Sequence, residues 1–471
     1  MQPLSGLDAA WLYLESDQTP MHLGGVYLFD TSNRRYPVNF QVFREHLAGR
    51  LDVARILRQR PVEVPLNLGT PYWIDDPDFS LDAHLSRHTL AKPGDWPALM
   101  NLAEDFFSRP LERGRPLWEM CFVEGVGPIE PARNRCVALL VKVHHTAVDG
   151  LSGEEVMWAL LDPTPTPAWQ HVTRPWLVEA APSAAWLLLR TAAGLPGESL
   201  KMVRLAAQVA TGTVGAAMEK ILHHTALPPL PLTAPATCLN RPLTGRQRTL
   251  RSVMLPLQPL QTIRQWLPGA TINDVVLAIC AGALRQYLLA HNDLPEQPLV
   301  AAVPIAARSR EHWQTLGNQV SVMLVPLATA ESEPLQRFRQ IHSRVQDAKR
   351  YSRHLQLQLL TEMMPAVLFY FLGGLSRRLY QSQQVGPLFN LFITHVPGPR
   401  QPLYLRGAPL IRHLGMAPIF HGLGLILVVT SYLESLTISL TSCPDIMPDP
   451  EVFTAAIEES FAELAKLTAM R

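Results

Sequence analysis

The sequence predicts an α/β protein made of two similar halves joined by a helical linker. Three observations carry this reading. Each half alternates strand-period and helix-period segments. Two proline-rich breaks, Asp162-Pro163-Thr164-Pro165-Thr166-Pro167 and Pro228-Pro229-Leu230-Pro231, bracket a stretch rich in Ala and Leu; such runs cannot continue a helix or a central strand. The 471 residues also suit two large α/β domains better than three units of ~150 residues.

The elements follow in chain order. Residues 26–29 are apolar and β-prone, and 40–57 carry apolar residues at a helical period. Residues 96–107 read as a second helix and the Val- and Leu-rich 137–143 as a strong strand. Residues 182–222 form a helical region with sparse cations, either a bridge between domains or a basic amphipathic membrane-surface segment. Strands are expected at 250–255, 299–304, 320–325 and 389–394, with helices at 272–289, 336–349 and 449–467. The expected division is residues 1–175, a linker at 176–239, and 240–471. Residues 413–433 lack Asp, Glu, Lys and Arg, and are long enough to span a bilayer. The short apolar run at 425–429 and the alternation at 436–440 fit two buried strands instead.

Composition excludes several classes. Lys and Arg number 41 against 40 Asp and Glu, a net charge of +1, with no basic stripe for nucleic acid. Apolar residues make up 47% and charged residues 17%, which is not a disordered chain. The five cysteines, Cys121, Cys136, Cys238, Cys280 and Cys443, are scattered and lack a C-x-x-C pair. That is neither a disulfide framework nor a zinc site, and points to a reducing, cytoplasmic compartment. The first residues have no basic and apolar leader pattern. No G-x-S-x-G, G-x-x-x-x-G-K-[ST] or G-x-G-x-x-G occurs, so a serine hydrolase, a nucleotide-hydrolysing loop and a dinucleotide cofactor are not indicated.

The chemistry-bearing segment is His144-His145-Thr146-Ala147-Val148-Asp149-Gly150, directly after the 137–143 strand. An imidazole at a strand end titrates near neutrality and can take a proton from a hydroxyl. Asp149 can organise the loop, and Gly150 permits an unusual backbone angle. Ser152 and Glu155 carry the spacing of a capping box for the helix that follows. Thr271 and Asp274 carry a similar pattern, with Asn273 in the first turn, where amide donors can stabilise developing negative charge.

The pattern H-H-x-x-x-D-G resembles the signature of the coenzyme A-dependent acyltransferase superfamily. Further segments resemble the bacterial wax ester synthase/diacylglycerol acyltransferase family: Pro3-Leu4-Ser5-Gly6-Leu7-Asp8, Met21-His22-Leu23-Gly24, Pro116-Leu117-Trp118-Glu119, Thr271-Ile272-Asn273-Asp274, and Thr394-His395-Val396-Pro397-Gly398-Pro399. His395 stands where that family usually has Asn, and the matches cover nearly the whole chain in family order.

The resemblance implies two chloramphenicol-acetyltransferase-like domains, each a mixed sheet flanked by helices, with the active site at their interface. It implies a long-chain fatty acyl-coenzyme A as donor and a fatty alcohol or diacylglycerol as acceptor, with no other cofactor and no nucleic acid. Peripheral contact with a membrane or lipid inclusion follows from the insolubility of the product. A condensation-type acyltransferase using another thioester donor or acceptor, and a weakly catalytic lipid-binding member, are the competing readings.

The resemblance selects His145 over His144 as the general base and gives His144 a role in loop geometry. Asp149 is expected to pair with a cation, with Arg308 as candidate, and Asn273 to hold an oxyanion or orient substrate. Asp274 is a cap or a substrate contact, and Trp118 a core residue or a tunnel wall. The apolar residues 363–374 are a core helix or an acyl tunnel in which Gly373 and Gly374 leave room for a chain.

Overall fold

A computed structural model describes residues 1–32, 37–130, 132, 135–148, 150–166, 180–194, 233–306, 320–355, 378 and 386–469. The expectations for Asp149, Arg308, Gly373 and Gly374, and for segments 195–222 and 363–374, lie outside the described residues.

In chain order the described strands are β1 (Gln2–Pro3), β2 (His22–Asp30), β3 (Gln59–Val62), β4 (Tyr72–Asp75), β5 (Leu85–Thr89), β6 (Trp118–Val126), β7 (Cys136–His144), β8 (Thr249–Pro256), β9 (Val300–Ala306), β10 (Val320–Pro326), β11 (Leu391–Pro397), β12 (Tyr404–Leu405), β13 (Ala408–Met416), β14 (Ile426–Tyr432) and β15 (Ser435–Ser442). The described helices are α1 (Gly6–Leu14), α2 (Phe40–Ala48), α3 (Trp96–Ser108), α4 (Gly150–Ala159), α5 (Leu257–Trp266), α6 (Ile272–Ala290), α7 (Pro334–Leu355) and α8 (Pro450–Ala469). Residues 184–194 are also helical.

Two six-stranded mixed sheets organise the molecule, in the orders β12-β13-β2-β7-β6-β5 and β10-β9-β11-β14-β15-β8, beside a small β1-β4-β3 sheet. The first sheet is antiparallel apart from β5 against β6, and β11 runs parallel to both neighbours in the second. Alternation along β2 divides its side chains: Tyr27 and Phe29 enter a core with α1 and α2, while Val26 and Leu28 pack with α3. The C-terminal end of α3 is tied to the sheet by two buried side chains. Lys142 Nζ donates to Phe106 O at 3.1 Å and Arg109 O at 2.9 Å, and His22 Nε2 lies 2.6 Å from Phe107 O. A cation at a helix C-terminus answers its orphan carbonyls and its dipole.

One segment ignores sequence order. Strands β12 and β13 come from residues 404–416, yet they complete the first sheet, with Met416 opposite Gly24. The chain then crosses into β14 of the second sheet. Gly415 lies at this crossing, where a Cβ would sit 2.7 Å from Val428 Cγ1. Gly398 has a similar cause: a Cβ there would sit 1.8 Å from Ser431 O, so the P-G-P turn needs a residue with no side chain.

Most element expectations match. The 40–57 helix is shorter: Asn39 caps it and it stops at Gly49, whose N–H bonds back to Glu45 O and Leu47 O, before two short 3₁₀ turns. The helix after the histidine pair begins at Gly150, so Ser152 lies inside its first turn and is not its cap. The charge-free stretch at 413–433 is strand, as its alternation suggested: β14 and β15 pair antiparallel. One described helix, α6, is long and apolar enough to cross a membrane, but most of it is buried, and it forms the core of the second sheet's helical layer.

Candidate active site

The histidine-pair segment is held by its neighbours in the sheet. His144 ends β7, and its N–H donates to Leu117 O at 2.9 Å, the middle of the P-L-W segment. The N–H of His145 donates to Met21 O at 2.8 Å, at the entrance to β2. Both sequence segments therefore grip the histidines through backbone. Trp118 itself is fully buried: its indole N–H donates to Leu57 O at 2.9 Å and its ring stacks on His84 at 4.5 Å. That corrects the tunnel-wall alternative, because a side chain sealed in core has no face to offer a substrate.

Sequence reasoning missed helix α1. Ser5 caps it reciprocally with Asp8, the S-x-x-D spacing that could have announced a helix. Residues 8, 11 and 15 then fall on one side of the helical path and meet three consecutive loop residues in reverse order. The Thr146 hydroxyl donates to Asp8 O. The Trp11 indole stacks on the His145 imidazole, with centroids 4.0 Å apart and planes 11° apart. Glu15 Oε1 lies 3.4 Å from His144 Nε2, long for a hydrogen bond but close for an electrostatic pairing.

These contacts set the ring of His144. The Thr146 N–H donates to its Nδ1 at 3.1 Å, so the ring proton sits on Nε2, facing Glu15. Burial alone would raise the Glu15 carboxyl. His144 and Arg113 outweigh it and hold the group at about 2. Arg113 reaches Glu15 Oε2 and Glu63 Oε1 at 2.8 and 2.9 Å and the carbonyl of Leu12 at 2.7 Å. His144 is 1% exposed, while His145 is only partly buried, so the second histidine is the one a substrate can approach.

The other sequence-derived residues lie on the second sheet. Thr271 caps α6, with Asp274 N donating to its hydroxyl at 3.3 Å and Thr271 N donating to Asp274 Oδ2 at 2.8 Å. Asp274 is fully buried, and Oδ2 also lies 3.0 Å from His342 Nδ1. Its carboxylate closes the helix start, which corrects the substrate-contact alternative. Asn273, one residue earlier, remains partly exposed. Arg285, near the other end of α6, donates to Thr329 O at 3.0 Å, and the Thr329 hydroxyl receives Leu299 N just before β9 begins. The N-terminus of α6 therefore lies toward the carboxyl ends of β9 and of β11 and β14, which run parallel to it. That end abuts the first sheet: the hydroxyl of Tyr432, last in β14, accepts Leu403 N at 2.9 Å, just before β12. His395 lies two residues before the end of β11, and burial pushes its imidazole pKa down, which keeps the ring neutral. The described contacts join both histidines of the pair to α1; they do not join Asn273 to them.

Two mixed sheets linked by an exchanged strand, with a histidine pair at a strand end, define the two-domain acyltransferase fold. A condensation domain of the calcium-dependent antibiotic synthetase shares that fold, with a TM-score of 0.62 at 17% identity over 99% of this chain and 97% of that one. Residues 4–276 match the wax ester synthase/diacylglycerol acyltransferase catalytic domain, and residues 316–465 match the C-terminal domain of the same family. An O-acyltransferase of Acinetobacter baylyi is 30% identical over 98% of this chain and 96% of its own. A Mycobacterium tuberculosis protein named for diacylglycerol O-acyltransferase activity is 33% identical over 98% of this chain and 90% of its own. The solved wax ester synthase/diacylglycerol acyltransferase of Marinobacter aquaeolei has a TM-score of 0.70 at 27% identity, covering 99% of this chain and all of that one. The chain belongs to the wax ester synthase/diacylglycerol acyltransferase family, and is an acyltransferase by that membership.

Proposed function

We propose that the protein transfers a long-chain acyl group from acyl-coenzyme A to a fatty alcohol or diacylglycerol, with His145 as general base. The observation that carries the base assignment is the division of labour within the pair: His144 is sealed and committed to Thr146 and Glu15, whereas His145 is partly exposed. Nδ1 of His145 is buried, which leaves Nε2 as the nitrogen for substrate.

In the step we infer, Nε2 takes the hydroxyl proton as the alcohol oxygen attacks the thioester carbonyl carbon. The tetrahedral intermediate collapses, the C–S bond breaks, and the imidazolium returns its proton to the departing thiolate. Asn273, at the N-terminal end of α6, is the donor we assign to the oxyanion, aided by the helix dipole. The test is an assay with palmitoyl-coenzyme A and either hexadecanol or dioleoylglycerol, following free thiol and ester together. Thiol release matched by wax ester or triacylglycerol supports the reading; no release with any alcohol overturns it.

The same reading places the enzyme in a reducing, cytoplasmic compartment, at the surface of a membrane or lipid inclusion. No disulfide joins any of the five cysteines. Helical residues 184–194 dock on the small sheet through Leu187, which packs with Val64 and Tyr72. This leaves Leu66, Leu68, Leu188 and Leu189 exposed, with Leu66 at 85% and Leu189 at 72%, and Arg190 sits over the Trp186 ring at 5.1 Å. Apolar side chains rimmed by a cation and a tryptophan suit the bilayer interface. Leu66→Glu with Leu189→Glu should weaken sedimentation with phosphatidylglycerol-containing vesicles about tenfold. Equal binding by the double variant would remove this surface from the account.

A further inference from the structure

A general base that acts by taking a proton must carry a positive charge in the transition state, and something must hold that charge. Glu15 faces His144 and is neutralised by Arg113. The Asp8 carboxylate is engaged by the capping box with Ser5. His22, opposite His144 across the strands, is held neutral by burial and by the charge of Lys142, which lower it to about 3. The group in face contact with His145 is the Trp11 indole, at 4.0 Å and 11°.

We propose that Trp11 is a positioning residue: its indole face fixes the plane of the His145 ring and stabilises the imidazolium formed when that ring takes the alcohol proton. The inference rests on the reading of His145 as the base. A cation within about 6 Å of a tryptophan face is attracted by the ring quadrupole, and tryptophan is the strongest of the aromatic side chains in this respect. A near-parallel stack also leaves the ring edge, with its Nε2, clear for substrate. Trp11 is itself held on both sides, because Asp8 on the same helix and Glu15 just past its end engage Thr146 and His144. The indole therefore cannot slide off His145 without breaking contacts on both sides.

An aromatic side chain that merely filled space would affect stability but would not change the affinity of His145 for a proton. The stack does both. Trp11→Leu should lower the His145 pKa by roughly 0.5–1.5 units and kcat by roughly 3–30-fold, with KM for acyl-coenzyme A little changed. Trp11→Phe should fall between, since benzene has the weaker quadrupole.

The deciding experiment is titration of His145 itself in the intact protein, by hydrogen exchange at the imidazole C2 position read by mass spectrometry. It is run on the wild type, Trp11→Leu, Trp11→Phe, and wild type labelled with 5-fluorotryptophan, which weakens the indole face without altering its packing. A graded fall in the His145 pKa is the expected result. An unchanged or raised pKa in folded Trp11→Leu overturns the proposal. Should that variant not fold, the Phe and fluorinated proteins decide in the same way. Near-normal turnover in His145→Ala would bring down the base reading instead, a failure seen in turnover and not in the imidazole titration.

Discussion

Replacing His145 by Ala lowers turnover by roughly 10²–10⁴-fold and leaves the protein folded. The size follows from what general-base catalysis contributes when a positioned imidazole takes the proton in the transition state. The fold survives because the His145 backbone N–H donates to Met21 O whatever the side chain, and because the ring is only partly buried. His144→Ala should behave in the opposite sense. It removes a side chain that is 1% exposed, takes from the Thr146 N–H its acceptor and leaves Glu15 with Arg113 alone of its two described partners, so stability falls with activity. Circular dichroism and steady-state rates on the two variants separate the roles. A folded His145→Ala enzyme with near-normal rates contradicts the assignment.

Glu15→Gln destabilises the protein by on the order of 3 kcal/mol at pH 7, and the penalty disappears in acid. Glu15 has a folded-state value of about 2 against an ordinary 4.5, because His144 and Arg113 overcome the cost of burial. A carboxyl depressed in the folded state contributes its full stability above the unfolded value and loses it as pH falls toward the folded one. The window therefore runs from about 4.5 down to about 2. The glutamine variant keeps the shape but not the charge, leaving Arg113 paired with Glu63 alone among the described carboxylates. Urea denaturation of both proteins at pH 7, 5 and 3 should show a wide gap in the first two and a narrowing gap at the third. A gap that stays constant with pH would mean that Glu15 acts through packing and not through charge.

Much of this was written in local pattern. The segments 137–143, 250–255, 299–304 and 320–325 are short and rich in Val, Leu and other apolar residues, and each is a strand in the structure. The Thr271–Asp274 box was legible because capping needs only four consecutive residues. What escaped was non-local. Nothing in residues 408–416 announces that they pair with β2, almost four hundred residues earlier in the chain, since strand exchange is decided by tertiary packing. Trp11, Glu15 and Arg113 escaped for the same reason: an aromatic, an acid and an arginine are ordinary surface residues until a fold sets them against a histidine pair. The P-L-W segment is recognisable in the sequence, but its structural purpose is not. The bond that matters there is the Leu117 carbonyl to His144 N–H, a backbone contact that side-chain chemistry does not reveal.

In the proposed mechanism His145 activates the alcohol and is not itself acylated. Rapid-quench measurement of thiol release from radiolabelled palmitoyl-coenzyme A, with and without hexadecanol, tests it most directly. The predicted result is no burst and no label on the protein without the alcohol, and, when it is added, thiol release equal to wax ester, with both products formed roughly 10²–10⁴-fold more slowly in His145→Ala. A stoichiometric burst of thiol with label retained on the protein, in the absence of any acceptor, would show a covalent acyl-enzyme and contradict the account.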